Sequence, residues 1–128
     1  MEISAAEISS EEVSAGELFL FINSPDKLPF SSVLFKKNVF ILDVREQEEF
    51  TYTHIDGSLL VPMMELEGRM DEVKEGMNNA DVTVVVCRSG CRSAMVTSFL
   101  IGEGFTQVFN LAGGINQMAI FDSNLNAY

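Results

Sequence analysis

An α/β domain built on a mostly parallel sheet is what this sequence predicts, and three observations predict it. Two runs, Val39 to Val44 (VFILDV) and Val82 to Val86 (VTVVV), are almost uninterrupted in apolar and β-branched residues, as strands covered on both faces are. Segments with helical periodicity alternate with them along the chain. The 128 residues, 47% of them hydrophobic and 21% charged, suffice for one globular domain spanning residues 1–128 and for a core that needs neither disulfide nor metal.

The elements follow in order. Ser14 to Asn23 opens with Ser-x-x-Glu, in which Ser14 and Glu17 can satisfy each other's backbone donors at a helix start. SPDKLP, with two prolines, predicts a loop. Val39 to Val44 is the first central strand, and Leu59 to Val61 a shorter one ended by Pro62. In ELEGRMDEVKEG and the residue after it, Leu66, Met70, Val73 and Met77 recur at spacings of four, three and four, an amphipathic helix. Val82 to Val86 is the second central strand. SAMVTSFLIGEG reads as a helix with Val96, Phe99 and Leu100 inward and a glycine stop. Val108 to Leu111 is a further strand, and Gly113-Gly114 a tight turn before a last short helix. A fifth short strand is expected near Ile8.

Charge narrows the partners. With 19 Asp and Glu against 8 Lys and Arg, a formal charge of −11, the surface repels nucleic acid and anionic membrane alike. The opening MEISAAEISSEE has neither the basic start nor the apolar stretch of a signal peptide, no run approaches a membrane span, and the two cysteines are expected in a reducing cytoplasm.

Both cysteines fall in VVVCRSGCRSA, each followed by an arginine. Cys87 ends a central strand directly before a helix, where the active crevice of an open α/β sheet lies. Backbone N–H groups of Arg88 to Ser93 and the helix N-terminus form a cradle for an anion there. The anion the chain itself supplies is a thiolate, and helix N-termini and guanidiniums lower a cysteine's pKa. A cysteine closing an apolar strand is ordinarily a small core residue, but two arginines beside an inert buried thiol are costly to desolvate. Cys87 is therefore the expected nucleophile. A metal site is not expected: two cysteines and the single histidine, His54, fall short of a tetrahedral set, and the arginines repel a cation.

Four stretches, in order over residues 43–115, resemble the rhodanese-like domains. Asp43-Val44-Arg45-Glu46 with Glu49-Phe50 resembles D-V-R-E-x-x-E-[FY]. His54-Ile55-Asp56-Gly57-Ser58, leading to Val61-Pro62, resembles H-I-x-G-[AS]…[IV]-P. Cys87-Arg88-Ser89-Gly90-Cys91-Arg92-Ser93 resembles the active loop C-x-S-G-x-R-S, and Asn110-Leu111-Ala112-Gly113-Gly114-Ile115 resembles L-x-G-G-[IW].

The resemblance implies a five-stranded, largely parallel sheet with helices on both faces, and sulfurtransferase chemistry with no cofactor beyond a covalent persulfide on Cys87. The partners it implies are a small sulfur-containing donor (thiosulfate, a polysulfide or a persulfide) and a cyanide, thiol or protein acceptor. Cys87 and Arg92 carry the catalytic roles, Arg92 closing the loop by hydrogen bonds and favouring the thiolate. Arg88, Ser89, Gly90, Cys91 and Ser93 line the persulfide loop, with Arg88 drawing anionic donors to a repulsive surface. Related dual-specificity phosphatases have a loop one residue longer, which suits phosphate, whereas the shorter loop suits one sulfur atom. The second reading is a sulfur carrier or interaction module passing persulfide sulfur between proteins, and the third a redox-regulated non-catalytic domain.

The motif does not explain Cys91, which is either a tolerated small side chain or a resolving thiol that attacks an oxidised or persulfidated Cys87. His54 is expected to be structural, and Asp43, Arg45 and Glu49 an ion-pair network that fixes the loop after the first central strand. Met63 and Met64 are expected at the pocket mouth, and Met118 stands where many relatives carry tryptophan.

Overall fold

The computed structural model describes residues 11–128. Its chain order is β1 (Glu12–Val13), α1 (Ala15–Asn23), β2 (Val39–Asp43), α2 (Gln47–Tyr52), β3 (Leu59–Leu60), α3 (Met70–Asn78), β4 (Val82–Val86), α4 (Cys91–Gly102), β5 (Val108–Leu111) and α5 (Gly114–Phe121), with single 3₁₀ turns at Pro25–Lys27, Met63–Glu65 and Glu67–Arg69. The sheet order is β1-β5-β4-β2-β3 and every pairing is parallel. Among the described residues the fifth strand is Glu12–Val13, beside Asn110 and Leu111; the strand expected near Ile8 falls outside the described residues.

Period-two alternation divides the core between the two faces of the sheet. Ile41, Val82, Val84, Val86 and Leu111 pack with Leu18 of α1 and Ile115 and Met118 of α5. Leu42, Val44, Val85, Cys87 and Val108 pack with Val73 and Met77 of α3 and Val96 and Leu100 of α4. With helices on both sides β4 has no solvent face, so all five of its residues are buried and four of them are valine, with no alternation of exposed and buried positions. Met118, fully buried, is core.

Local signals account for the helix starts. Ser14 caps α1, its hydroxyl accepting from the Glu17 N–H while the Glu17 carboxylate accepts from the Ser14 N–H. Leu66, expected within the amphipathic helix, sits in the 3₁₀ turns ahead of it, and α3 begins only at Met70. In the other direction, α4 begins two residues before Ser93, at Cys91, because Gly90 takes a left-handed conformation (φ 103°) as its N-cap.

The topology puts one crevice at the carboxyl ends of the strands. From β2 the chain steps outward to β3, then crosses back to β4 on the other side of β2 and on to β5. The order reverses between β2 and β4, and ligands of open α/β sheets bind at such a point. The loop after β2 (residues 44–46) and the loop after β4 (residues 87–90) face each other across it.

Candidate active site

Cys87 follows β4 directly and is buried. Its sulfur accepts the Gly90 N–H at 3.1 Å and lies 3.2 Å from the Ser93 hydroxyl. The carbonyls of the same loop point the other way: the Ile115 and Asn116 N–H groups at the start of α5 donate to the Cys87 and Arg88 oxygens at 2.9 and 3.1 Å. This split, carbonyls bound by α5 and N–H groups turned inward, makes the loop an anion cradle.

Gly114 makes that approach possible. Its φ is +61°, and a Cβ there would lie 2.5 Å from the Cys87 carbonyl oxygen. Only glycine fits.

Burial alone pushes the Cys87 thiol up. The Ser93 hydroxyl and the N–H groups of Ser93, Gly90 and Ser89 outweigh it, and the thiol sits below an ordinary cysteine. Ser93 Oγ has one proton and two acceptors in reach, Cys87 Sγ and Asn110 Oδ1. Asn110 is held in place by its own donation to the Gly90 carbonyl at 3.2 Å. With sulfur protonated, the Ser93 proton belongs to Asn110. With sulfur ionised, it turns to the thiolate and strengthens as a charge-assisted bond.

The arginines take separate places. Arg92, in the first turn of α4, directs both terminal nitrogens at the Glu49 carboxylate, at 2.7 and 2.8 Å. It thereby ties α4 to α2, and among the described residues these bonds go to Glu49 and not to the loop, where the resemblance implied them. Glu49 is the stronger attraction, a fork-matched carboxylate held in place by the Glu46 N–H and the Tyr128 hydroxyl. That bidentate pair first, and those two donors after it, overcome burial and lower Glu49 to about 2. Arg88 is exposed, with its guanidinium 4.9 Å from the centre of the Tyr128 ring.

The remaining residues of interest fall into place around this core. Asp43 and Arg45 form a fully buried ion pair at 2.7 Å, and Arg45 also donates to the Thr53 carbonyl, which orders the loop after β2. His54 stacks on Phe50 (ring centres 3.9 Å apart), and its Nδ1 lies 2.9 Å from the Phe50 carbonyl, so the ring is spent on local structure. Met63 is half-buried and packs against the core cluster on the Cys87 side of the sheet, whereas Met64 is 86% exposed. Ser89 and Cys91 are exposed, and both thiols are free. Among the described residues no three of His, Cys, Asp and Glu gather to hold a metal ion, and no helix is long and apolar enough to cross a membrane.

Three residues were not singled out from sequence. Asn110 has a signal in hindsight, a lone amide inside the apolar strand VFNL. Glu12, whose carboxylate accepts from the Asn110 amide at 3.4 Å, and Tyr128, whose hydroxyl donates to Glu49, come from the two ends of the described chain, and nothing in their neighbourhoods marks them.

A five-stranded parallel sheet with a cysteine cradled between the central strand and a helix defines a class, the α/β domains with a cysteine-centred anion loop. The chain matches the rhodanese-like domain over residues 30–120, and it belongs to that family. It is 39% identical over 75 residues to the putative sulfur carrier protein YrkF of Bacillus subtilis, covering 59% of this chain and 38% of that one. Over 79 residues it is 35% identical to a sulfurtransferase of Allochromatium vinosum, covering 62% and 70%. The human single-domain sulfurtransferase TSTD1 superposes with a TM-score of 0.65 at 24% identity, over 88% of this chain and 97% of that one, a likeness of fold.

Proposed function

We propose that this protein is a sulfurtransferase that carries one sulfane sulfur as a persulfide on Cys87. The observation that carries the reading is the cradle, a buried sulfur facing the inward N–H groups of its own loop and the Ser93 hydroxyl. Relatives named sulfurtransferase and sulfur carrier support the same role.

In the first half-reaction the Cys87 thiolate attacks the outer sulfur of thiosulfate. The Cys87 S–S bond forms, the S–S bond of thiosulfate breaks, and sulfite leaves with the bonding pair. The terminal sulfur of the persulfide keeps one negative charge, which the cradle holds. In the second half-reaction cyanide or a thiolate attacks that sulfur, and the electron pair returns to Cys87. Each half is a nucleophilic displacement at sulfur and needs no external oxidant. An excess of fixed negative charge on the surface disfavours dianions such as thiosulfate, so a singly charged persulfide is the better-matched donor.

The test is thiocyanate formation from cyanide with thiosulfate or polysulfide as donor. Turnover above the protein-free rate that vanishes in Cys87→Ser supports the reading. Thiocyanate formed no faster than without protein from either donor, or turnover that survives Cys87→Ser, refutes it.

A further inference from the structure

Beyond α5 the chain turns back across the crevice. Leu125 is buried, the Asn126 N–H donates to the Thr53 hydroxyl at 3.0 Å, and the Asn116 side chain bonds both the N–H and the carbonyl of Tyr128 at 2.9 Å each. The strap delivers Tyr128 to the space between the loops that follow β2 and β4. Its hydroxyl accepts from Arg45 at 2.8 Å and donates to Glu49 at 2.7 Å. The Tyr52 and Tyr128 rings meet edge to face with centres 5.9 Å apart, and the guanidinium of Arg88 lies over the Tyr128 ring at 4.9 Å.

Arg88 is held twice from the same side. The Asn116 N–H binds its carbonyl, the Asn116 side chain binds Tyr128, and the Tyr128 ring carries its guanidinium. Arg92 is neutralised by Glu49, whereas among the described residues Arg88 makes no salt bridge. Arg88, the residue that follows Cys87 in the chain, therefore carries a charge that no described carboxylate takes up and that is left for an incoming anion. An arginine side chain otherwise samples many rotamers, and a ring beneath it confines the charge to the mouth of the site.

We infer that Tyr128 is a positioning residue for anion recognition, its ring holding the Arg88 guanidinium at the mouth of the Cys87 loop. This rests on the sulfur-transfer reading for its biological use, but the field it describes exists without any sulfur donor. Tyr128 does not touch the reacting atoms; it acts through Arg88.

The test compares alkylation of Cys87 by anionic iodoacetate with that by neutral iodoacetamide, read by peptide mass mapping so that Cys91 is not counted. The iodoacetate-to-iodoacetamide rate ratio falls about threefold in Tyr128→Leu, the size of an exposed cation–π contact, while the iodoacetamide rate alone holds. Arg88→Gln lowers the ratio at least as far, and Tyr128→Leu has no further effect in that background. Steady-state thiosulfate kinetics show the same change in KM with kcat unchanged. An unaltered ratio in folded Tyr128→Leu, or additive effects in the double variant, overturns the inference. Arg88→Gln changes an exposed side chain and keeps the fold, so an unaltered ratio there overturns it as well. Tyr128→Phe, which retains the ring, keeps most of the preference, and a fall to the Arg88→Gln level contradicts the role of the ring. A wild-type protein that accepts no sulfur would defeat the sulfurtransferase reading and leave the alkylation ratio to decide this one.

Discussion

Replacing Glu49 by glutamine isolates the pair that ties α2 to α4. In the native protein this carboxylate accepts two bonds from Arg92 and one each from the Glu46 N–H and the Tyr128 hydroxyl. It titrates near 2 where a free glutamate titrates at 4.5, which at 1.36 kcal/mol per pH unit corresponds to about 3 kcal/mol. The Arg92 side chain is 33% exposed, and solvent screening reduces the figure to about 2 kcal/mol.

The folded pKa lies below the unfolded one, so this stability is fully present above pH 4.5 and is lost as pH falls toward 2. Urea unfolding of wild type and Glu49→Gln measures it, because the other carboxylates titrate in both proteins and cancel in the difference. The expected gap is about 2 kcal/mol at neutral pH, shrinking to less than half of that by about pH 3. A gap that stays constant with pH would show that packing, and not the ionised carboxylate, is what Glu49 contributes. No gap at all would show that the Arg92 bridge is a surface pair without weight.

Three further outcomes follow from the site. Ser93→Ala removes a hydroxyl that stabilises the thiolate by about 1 kcal/mol, so mass-mapped iodoacetamide labelling of Cys87 at neutral pH slows about fivefold, and an unchanged rate counts against the cradle. Gly114→Ala drives a Cβ against the Cys87 and Arg88 carbonyls, backbone that cannot swing aside, and costs about 2 kcal/mol or more in urea unfolding; a neutral substitution contradicts the close approach of α5 to the loop. Asn110→Ala frees the Ser93 hydroxyl from its competing acceptor while loosening Gly90, so the protein loses about 1 kcal/mol of stability yet keeps the Cys87 labelling rate within about twofold; a collapse of that rate makes Asn110 part of the thiolate's support.

Much of this architecture is legible in the residues because burial on both sides leaves a clear trace. VTVVV reads as a central strand since neither face meets water, and the Ser14–Glu17 capping box places the start of α1 where the structure has it. The start of α4 is harder to read. Cys91 and Arg92 look like loop until Gly90 is known to adopt a left-handed turn, after which the helix begins at once. The six-residue helix α2 has no apolar stripe, as none of its residues is buried, so hydropathy gives no hint of it. The two-residue β1 is too short to register a period and exists because β5 offers it an edge.

The site divides in the same manner. Cys87 and its loop are local, contiguous and dense in unusual residues, and the sequence exposes them. The direction of Arg92 is not local, since it depends on a carboxylate 43 positions away that α2 brings across the crevice. Tyr128 meets Arg45 and Glu49 across separations of 83 and 79 residues, contacts that only the returning strap creates. Such long-range polar pairs leave no periodicity behind.

The most direct measurement is the intact mass of the reduced protein after incubation with thiosulfate and, separately, with polysulfide, before and after cyanide. The expected result is a gain of one sulfur atom, located on Cys87, removed by cyanide and absent from Cys87→Ser. A protein that gains no sulfur from either donor, or gains it on Cys91 alone, contradicts it.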